Sequence, residues 1–174
     1  MISLICKKYG ITNYTINDDG SIDVNGDVYL YNKGLTELPL TFNKVTGYFN
    51  CSFNNLTSLK GSPSWVGGNF NCIYNDLSDL VGSPKEVGGN FFCSENEKLI
   101  TPKGCTEKIG NEFNCKNTPL SSIFNGVDQF FLHAFNFYKV IKDDTVNLKR
   151  LRYVMDLYDK PIDLEKIEKY YRIL

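Results

Sequence analysis

The sequence predicts a β-rich solenoid: parallel strands stacked in about five rungs of 21–22 residues, with an N-terminal helix/β-hairpin cap and a C-terminal helical cap. Three observations predict it. Phe49-Asn50-Cys51-Ser52-Phe53-Asn54-Asn55-Leu56 recurs as Phe70-Asn71-Cys72-Ile73-Tyr74-Asn75-Asp76-Leu77, with echoes at Phe91-Phe92-Cys93 and Phe113-Asn114-Cys115. Cysteines therefore fall at 51, 72, 93 and 115, with spacings of 21, 21 and 22. The connector Gly61-Ser62-Pro63-Ser64-Trp65-Val66-Gly67-Gly68-Asn69 returns as Gly82-Ser83-Pro84-Lys85-Glu86-Val87-Gly88-Gly89-Asn90. Self-similarity at a fixed period of about 20–50 residues marks stacked units that bury a shared core.

The chain reads as one domain in three parts: an N-terminal cap over 1–27, the solenoid over 28–123 and a helical cap over 124–174. Residues 2–9 are expected to form a short helix with Ile2, Ile5 and Tyr9 near one face, stopped by Gly10. Tyr14-Thr15-Ile16 and Ser21-Ile22-Asp23-Val24 flank Asp18-Asp19-Gly20, a hairpin signal. A turn at Asn25-Gly26 leads to Val28-Tyr29-Leu30-Tyr31, the first rung.

Rung cores start at 28, 49, 70, 91 and 113. In each, Phe and Cys (Val28 and Leu30 in the first) alternate on one side of a strand and point inward. Asn54, Asn75 and Asn96 are placed to bond backbone groups left unpaired where the chain turns, one above another. Leu56 and Leu59, Leu77 and Leu80, and Leu120 and Ile123 fill the rest of each coil. The fourth rung carries one extra residue before Leu99, and the fifth places Thr118 where the others have Asn. Gly-Ser-Pro and Gly-Gly supply bends that return the chain to the next parallel strand.

After Ile123 the period becomes helical. Val127, Phe130, Phe131, Ala134, Phe135, Tyr138 and Ile141 share one face, Asp143 or Asp144 caps a helix carrying Leu148, Leu151, Val154, Met155 and Tyr158, and an element after Lys160-Pro161 bears Leu164, Ile167, Tyr170 and Tyr171. A solenoid end needs such a cap.

The repeat resembles leucine-rich repeats of the short class with L-x-x-L-P on the outer side, as in Leu35-Thr36-Glu37-Leu38-Pro39. More narrowly, Gly82-Ser83-Pro84-Lys85-Glu86-Val87-Gly88-Gly89-Asn90-Phe91-Phe92-Cys93-Ser94 resembles the repeat of a leucine-rich-repeat-like family of large tailed bacteriophages. The opening over 9–24 and Val146-Asn147-Leu148-Lys149-Arg150-Leu151 are similar to that family too. The resemblance implies a phage origin and a leucine-rich-repeat-like fold whose strand face is concave and used for binding.

Net charge is −1, from 19 basic and 20 acidic residues, and only Arg150, Arg152 and Arg172 are arginines, so no nucleic-acid or membrane-surface partner is expected. Met1-Ile2-Ser3-Leu4-Ile5-Cys6 precedes Lys7-Lys8, the wrong order for a signal peptide, and no apolar run reaches the ~20 residues of a span. The expected location is the cytoplasm, the host cell's if the chain is phage-encoded, with reduced thiols. The Asn-x-Thr triplets at Asn13 and Asn55 then carry no glycosylation.

Catalytic and metal chemistry find no footing. Four cysteines in register lack the close pairs of a metal site and read as small core residues. Cys6 and Cys105 stand outside the repeat, Cys105 at an outer connector position. His133, the sole histidine, sits in an apolar run with no nucleophile motif, and the segment over 17–23 lacks a full calcium-loop pattern and reads as a hairpin turn. No enzyme, cofactor or small-molecule substrate is expected.

What remains is surface. Beside the inward Phe and Cys stand mostly Asn and Ser, against which Tyr29, Tyr31, Tyr48, Ile73 and Phe92 are out of character, with Glu112 and Lys116 adding charge at the last rung. Aromatic and apolar groups among polar ones suit an interface. These seven residues are the expected partner-binding set, and the partner a host or antiviral-defence protein that is bound and modulated. The alternative is a structural or assembly component of a phage particle, docking through Tyr153, Tyr158, Tyr170 and Tyr171 at the helical end. A secreted effector's recognition domain is the weakest reading, because the chain lacks room for a catalytic domain.

Overall fold

The computed structural model describes residues 1–124, 126–142 and 145–174. It opens with helix α1 (Ile2–Tyr9), which ends at Gly10 in the left-handed region at φ 68°. Ile2, Ile5 and Tyr9 lie half-buried against the core as expected, while the side chain they shelter is Cys6. Strands β1 (Tyr14–Ile16) and β2 (Ile22–Val24) then pair antiparallel. In their turn the Asp19 carboxylate accepts from Ser21 N–H at 2.9 Å and Ser21 Oγ at 2.6 Å, which holds its pKa below the usual value.

The solenoid has two parallel sheets, not one. The sheet expected from the repeat contains β3 (Val28–Tyr29), β5 (Phe49–Asn50), β7 (Phe70–Asn71), β9 (Phe91–Phe92) and β11 (Phe113–Asn114), stacked in sequence order; we call it sheet B. A second, sheet A, runs through what reads in sequence as connector: β4 (Phe42–Val45), β6 (Trp65–Val66), β8 (Glu86–Val87) and β10 (Lys108–Ile109). Strand β2 joins sheet A beside β4 in parallel, so the hairpin continues the solenoid besides capping it. Each coil contributes one two-to-four-residue strand to each sheet, with a glycine at every corner between them and Gly-Gly between β6 and β7 and between β8 and β9.

That corner explains the glycines. A Cβ on Gly68 would stand 2.8 Å from the carbonyl oxygen of Gly47, and one on Gly88 would collide with the carbonyl of Gly67. The coils approach so closely there that only hydrogen fits. The Gly-Ser-Pro glycines Gly61 and Gly82 also lie against backbone of the preceding coil and in addition turn the chain at φ 92°.

Inside, equivalent positions of successive coils form columns. Phe49, Phe70, Phe91 and Phe113 stack with centroid separations of 5.5, 5.1 and 5.5 Å, and Cys51, Cys72, Cys93 and Cys115 follow beside them, all buried. Val24, Val45, Val66 and Val87 line the core from sheet A. Identical side chains at a parallel spacing of about 4.8 Å pack each on its copy, and that repetition is what buries the face. The amide column closes each coil. Asn54 Nδ2 donates to the carbonyls of Leu30 and Cys51 at 2.9 and 3.0 Å, and its Oδ1 accepts from Lys33 and Leu35 N–H at 2.9 and 3.0 Å. Asn75 and Asn96 repeat the pattern. Thr118 ends it: its hydroxyl donates to Cys115 O at 2.6 Å and caps helix α2 (Pro119–Ile123). The fourth coil's extra residue falls between Asn96 and Leu99, where Leu99 N–H returns to Asn96 O at 3.0 Å, and β9 and β11 stay in register above it.

The C-terminal cap contains more than helices. Helices α3 (Gln129–Phe137), α4 (Leu148–Leu157) and α5 (Leu164–Glu168) appear, together with a small sheet of β12 (Ile141–Lys142), β13 (Thr145–Val146) and β14 (Arg172–Ile173). Val127 and Ile141 lie outside α3, and Phe130 projects outward at 66% exposure, with Leu132 buried instead. Asp143 and Asp144, expected caps of α4, lie outside the described residues; Asn147 caps it, accepting from Arg150 N–H at 3.0 Å. Tyr171 is core rather than surface, and its hydroxyl donates to Ile100 O, fastening the cap to the solenoid. Tyr158 is half-buried and donates to Phe130 O at 2.8 Å. The aromatic surface expected at the helical end is thus reduced to Tyr153 and Tyr170.

Candidate functional site

Sheet B presents four outward columns. The first contains Asp27, Tyr48, Asn69, Asn90 and Glu112; the second Tyr29, Asn50, Asn71, Phe92 and Asn114; the third Tyr31, Ser52, Ile73, Ser94 and Lys116. The seven residues expected from sequence all sit in these three columns. They do not form one patch.

At the first coils, Tyr29 and Tyr48 meet edge-to-face at 5.9 Å. Tyr29 hydroxyl donates to Asp27 Oδ2 at 3.0 Å, Tyr48 hydroxyl accepts from Asn71 Nδ2 at 2.9 Å, and Asp27 Oδ1 receives Tyr48 N–H at 2.7 Å. The Asp27 carboxylate accepts this phenol's proton and raises the Tyr29 pKa; burial does the same for Tyr48. Tyr31 stands half-exposed in the next column. Ile73 and Phe92 lie half-buried further along. At the last coil, Glu112 Oε1 accepts from Asn114 Nδ2 at 3.0 Å, and Asn114 Oδ1 accepts from Lys116 N–H at 3.2 Å.

The fourth column is the one sequence reasoning missed. It contains Asn32, Phe53, Tyr74, Glu95 and Asn117, each immediately before the amide column or its equivalent, and each at positive φ: 52, 54, 51, 58 and 55°. The left-handed conformation is forced because the chain must reverse there to bring Asn54 or Asn75 inward. It strains an L-residue by about 1–2 kcal/mol, and Asn tolerates it best. Asn does occupy both ends of the column, yet the middle holds Phe53 and Tyr74, 51% and 47% exposed, with rings stacked at 4.6 Å and 23°. Two large aromatics therefore hold a backbone conformation that disfavours them while leaving half their surface in water. Spacing of 21 from Asn32 was the one sequence signal; the φ values that give it meaning are not visible in a sequence.

No protein family, curated protein or solved structure matches this chain.

The thiols are sealed in. Burial pushes Cys51 up to about 12 and Cys115 up to about 11, and Cys72 and Cys93 well above the ordinary thiol value. Such thiols are protonated and unreactive, the opposite of a nucleophile or metal ligand. No cluster of three His, Cys, Asp or Glu side chains arranged for a metal occurs among the described residues, and no helix among them is long and apolar enough to cross a membrane. Cys105 is half-buried rather than outward, beneath the end of sheet A. His133 is exposed on α3.

Proposed function

We propose that the chain is a non-enzymatic protein–protein interaction module of a large tailed bacteriophage, acting in the host cytoplasm. It binds and modulates a host or antiviral-defence protein through the outward columns of sheet B. The observation that carries this reading is the Phe53–Tyr74 stack. The fold requires the left-handed conformation in every coil, but it does not require two large aromatics there with about half their surface in water. Aromatic side chains are the commonest energetic anchors of interfaces. Tyr29, Tyr31 and Tyr48 extend the surface on one side and Ile73 and Phe92 on the other, with Asn and Ser between. A net charge of −1 supports a protein rather than a nucleic-acid target. The phage attribution rests on the resemblance of the 82–94 repeat.

Affinity capture from bacterial lysate tests the reading, comparing the natural chain with Phe53→Asn/Tyr74→Asn and with Ile73→Ala/Phe92→Ala. One host protein is expected on the natural chain, reduced at least tenfold on either double variant. Equal capture by all three, or recovery of the chain as a stoichiometric part of purified particles, would overturn it.

A further inference from the structure

Sheet A ends at β10 with its outer edge bare. In every earlier coil the carbonyl of the inward valine receives an N–H from the next coil: Thr46 to Val24 at 3.0 Å, Gly67 to Val45 at 2.9 Å, Gly88 to Val66 at 2.8 Å and Gly110 to Val87 at 2.9 Å. Ile109 is the next member of that column. Lys108 and Gly110 donate their N–H groups back to Lys85 and Val87. In a parallel ladder the N–H and C=O of Ile109 consequently point the other way, and neither has a partner among the described residues. Sheet B ends differently, with Cys115 and Phe113 buried beneath the helical cap.

A cleft of about 580 Å³ runs along the bare edge. One wall is residues 105–109 and the other is α3, where Tyr158 hydroxyl is fixed on Phe130 O at 2.8 Å. Thr106 lines the cleft and is 5% exposed, yet its Oγ1 has no hydrogen-bond partner. Earlier coils carry Pro63 and Pro84 at this position, so the hydroxyl belongs to the last coil alone. Among the described residues the other buried hydroxyl without a partner, Ser62 Oγ, does not line the cleft.

We infer that this cleft takes an extended peptide segment of another protein, which pairs with β10 as one more strand of sheet A. A donor and an acceptor presented by one residue at a strand edge are matched by another strand's backbone. The cleft is in the size range of ligand-binding clefts, and the exposed ring of Phe130 offers apolar surface to a peptide side chain. The occupant is a single strand because α3 walls the far side: a second copy would bring a whole sheet edge, backed by its own coil, against that helix. The site shares no residue with the outward columns of sheet B and stands independently of them.

A yeast-displayed library of random linear peptides of about ten residues, selected on the intact protein, tests this. Synthetic copies of the selected peptides are expected to lose affinity at least tenfold when N-methylated in one register of alternate amides, and to keep it in the other. Ile109→Pro, which removes the outward N–H, and Thr106→Val are expected to weaken binding at least tenfold. Ile109→Ala, which keeps the N–H, and Phe53→Asn/Tyr74→Asn are expected to leave it within twofold. The inference is overturned if no peptide is enriched, if N-methylation is tolerated at every position, or if binding follows Phe53 and Tyr74. It is equally overturned if the chain self-associates in sedimentation and Ile109→Pro abolishes that, which assigns the edge to a second copy.

Discussion

The Nδ2 of Asn75 donates to the carbonyl of Cys51, one coil away, at 3.1 Å, while holding Cys72 of its own coil at 3.1 Å. Its Oδ1 takes Leu56 N–H at 2.9 Å and its Nδ2 also reaches Ile73 O at 3.3 Å, so one amide bonds four backbone groups from two coils. Asn75→Leu leaves Leu56 N–H buried without a partner, at about 1–3 kcal/mol, while the carbonyls of Cys51 and Cys72 keep the Nδ2 groups of Asn54 and Asn96. The expected loss is about 1–3 kcal/mol in urea unfolding, against about 0.5 kcal/mol or less for the exposed Ser78→Ala. Equal midpoints would show that the ladder does not hold the coils together.

Gly88 meets the carbonyl of Gly67 where a Cβ would go. The obstacle is backbone in the adjoining coil, so the strain of Gly88→Ala cannot relax through a side chain. Overpacking of this kind costs about 1–3 kcal/mol, a fall in Tm of roughly 2–12 °C at about 2–4 °C per kcal/mol for a chain of this size. Thermal unfolding by circular dichroism measures it, and an unchanged Tm would mean that the corner can open.

For Phe53 and Tyr74 two effects oppose. Asn in the left-handed conformation relieves about 1–2 kcal/mol per residue, and losing the ring stack forfeits about 0.5–1.5 kcal/mol. Phe53→Asn is therefore expected to change stability by less than about 1 kcal/mol in chemical denaturation. A large loss would show that the aromatic is there for folding.

The buried thiols give a pH dependence with a definite sign. Their folded pKa values are raised, so the folded state holds its protons more tightly than the unfolded chain. The stability this contributes is fully present below the ordinary thiol value of 9.0 and is lost as pH rises toward about 12 at Cys51. Urea midpoints are expected to fall across that window, and less steeply in Cys51→Ala. In the native protein at pH 8 these thiols should also resist a water-soluble disulfide reagent that labels them on unfolding. Rapid native labelling of Cys51, Cys72 or Cys93 would contradict the packing described.

Sheet B was legible because every coil spends two inward positions on it, and Phe49 and Cys51 repeat as a pair that a short window detects. Sheet A was not. Its strands β6, β8 and β10 contribute one inward residue each, Val66, Val87 and Ile109, between a Pro or Thr and a Gly, and a single residue has no alternation to read. The amide column was legible from Asn54, Asn75 and Asn96, because a buried amide beside a turn has few other uses. In the cap, spacing found the helices but misplaced Phe130, since three rings in the run Phe130–Phe135 compete for one face, and β12–β14 are too short to show a period. The first three outward columns are readable residue by residue, whereas Phe53 and Tyr74 look like ordinary repeat positions, because conformation rather than composition distinguishes them.

The arc after Asn96 has a practical consequence. There one coil accepts an added residue, yet β9 and β11 stay paired in register and Asn96 keeps its bonds to the coil below. The Gly-Gly corner, with a carbonyl lodged at each Cβ position, offers no such latitude. Loops grafted between Asn54 and Leu56, or between Asn75 and Leu77, are thus the places where new sequence can be displayed on this scaffold without redesigning its interior.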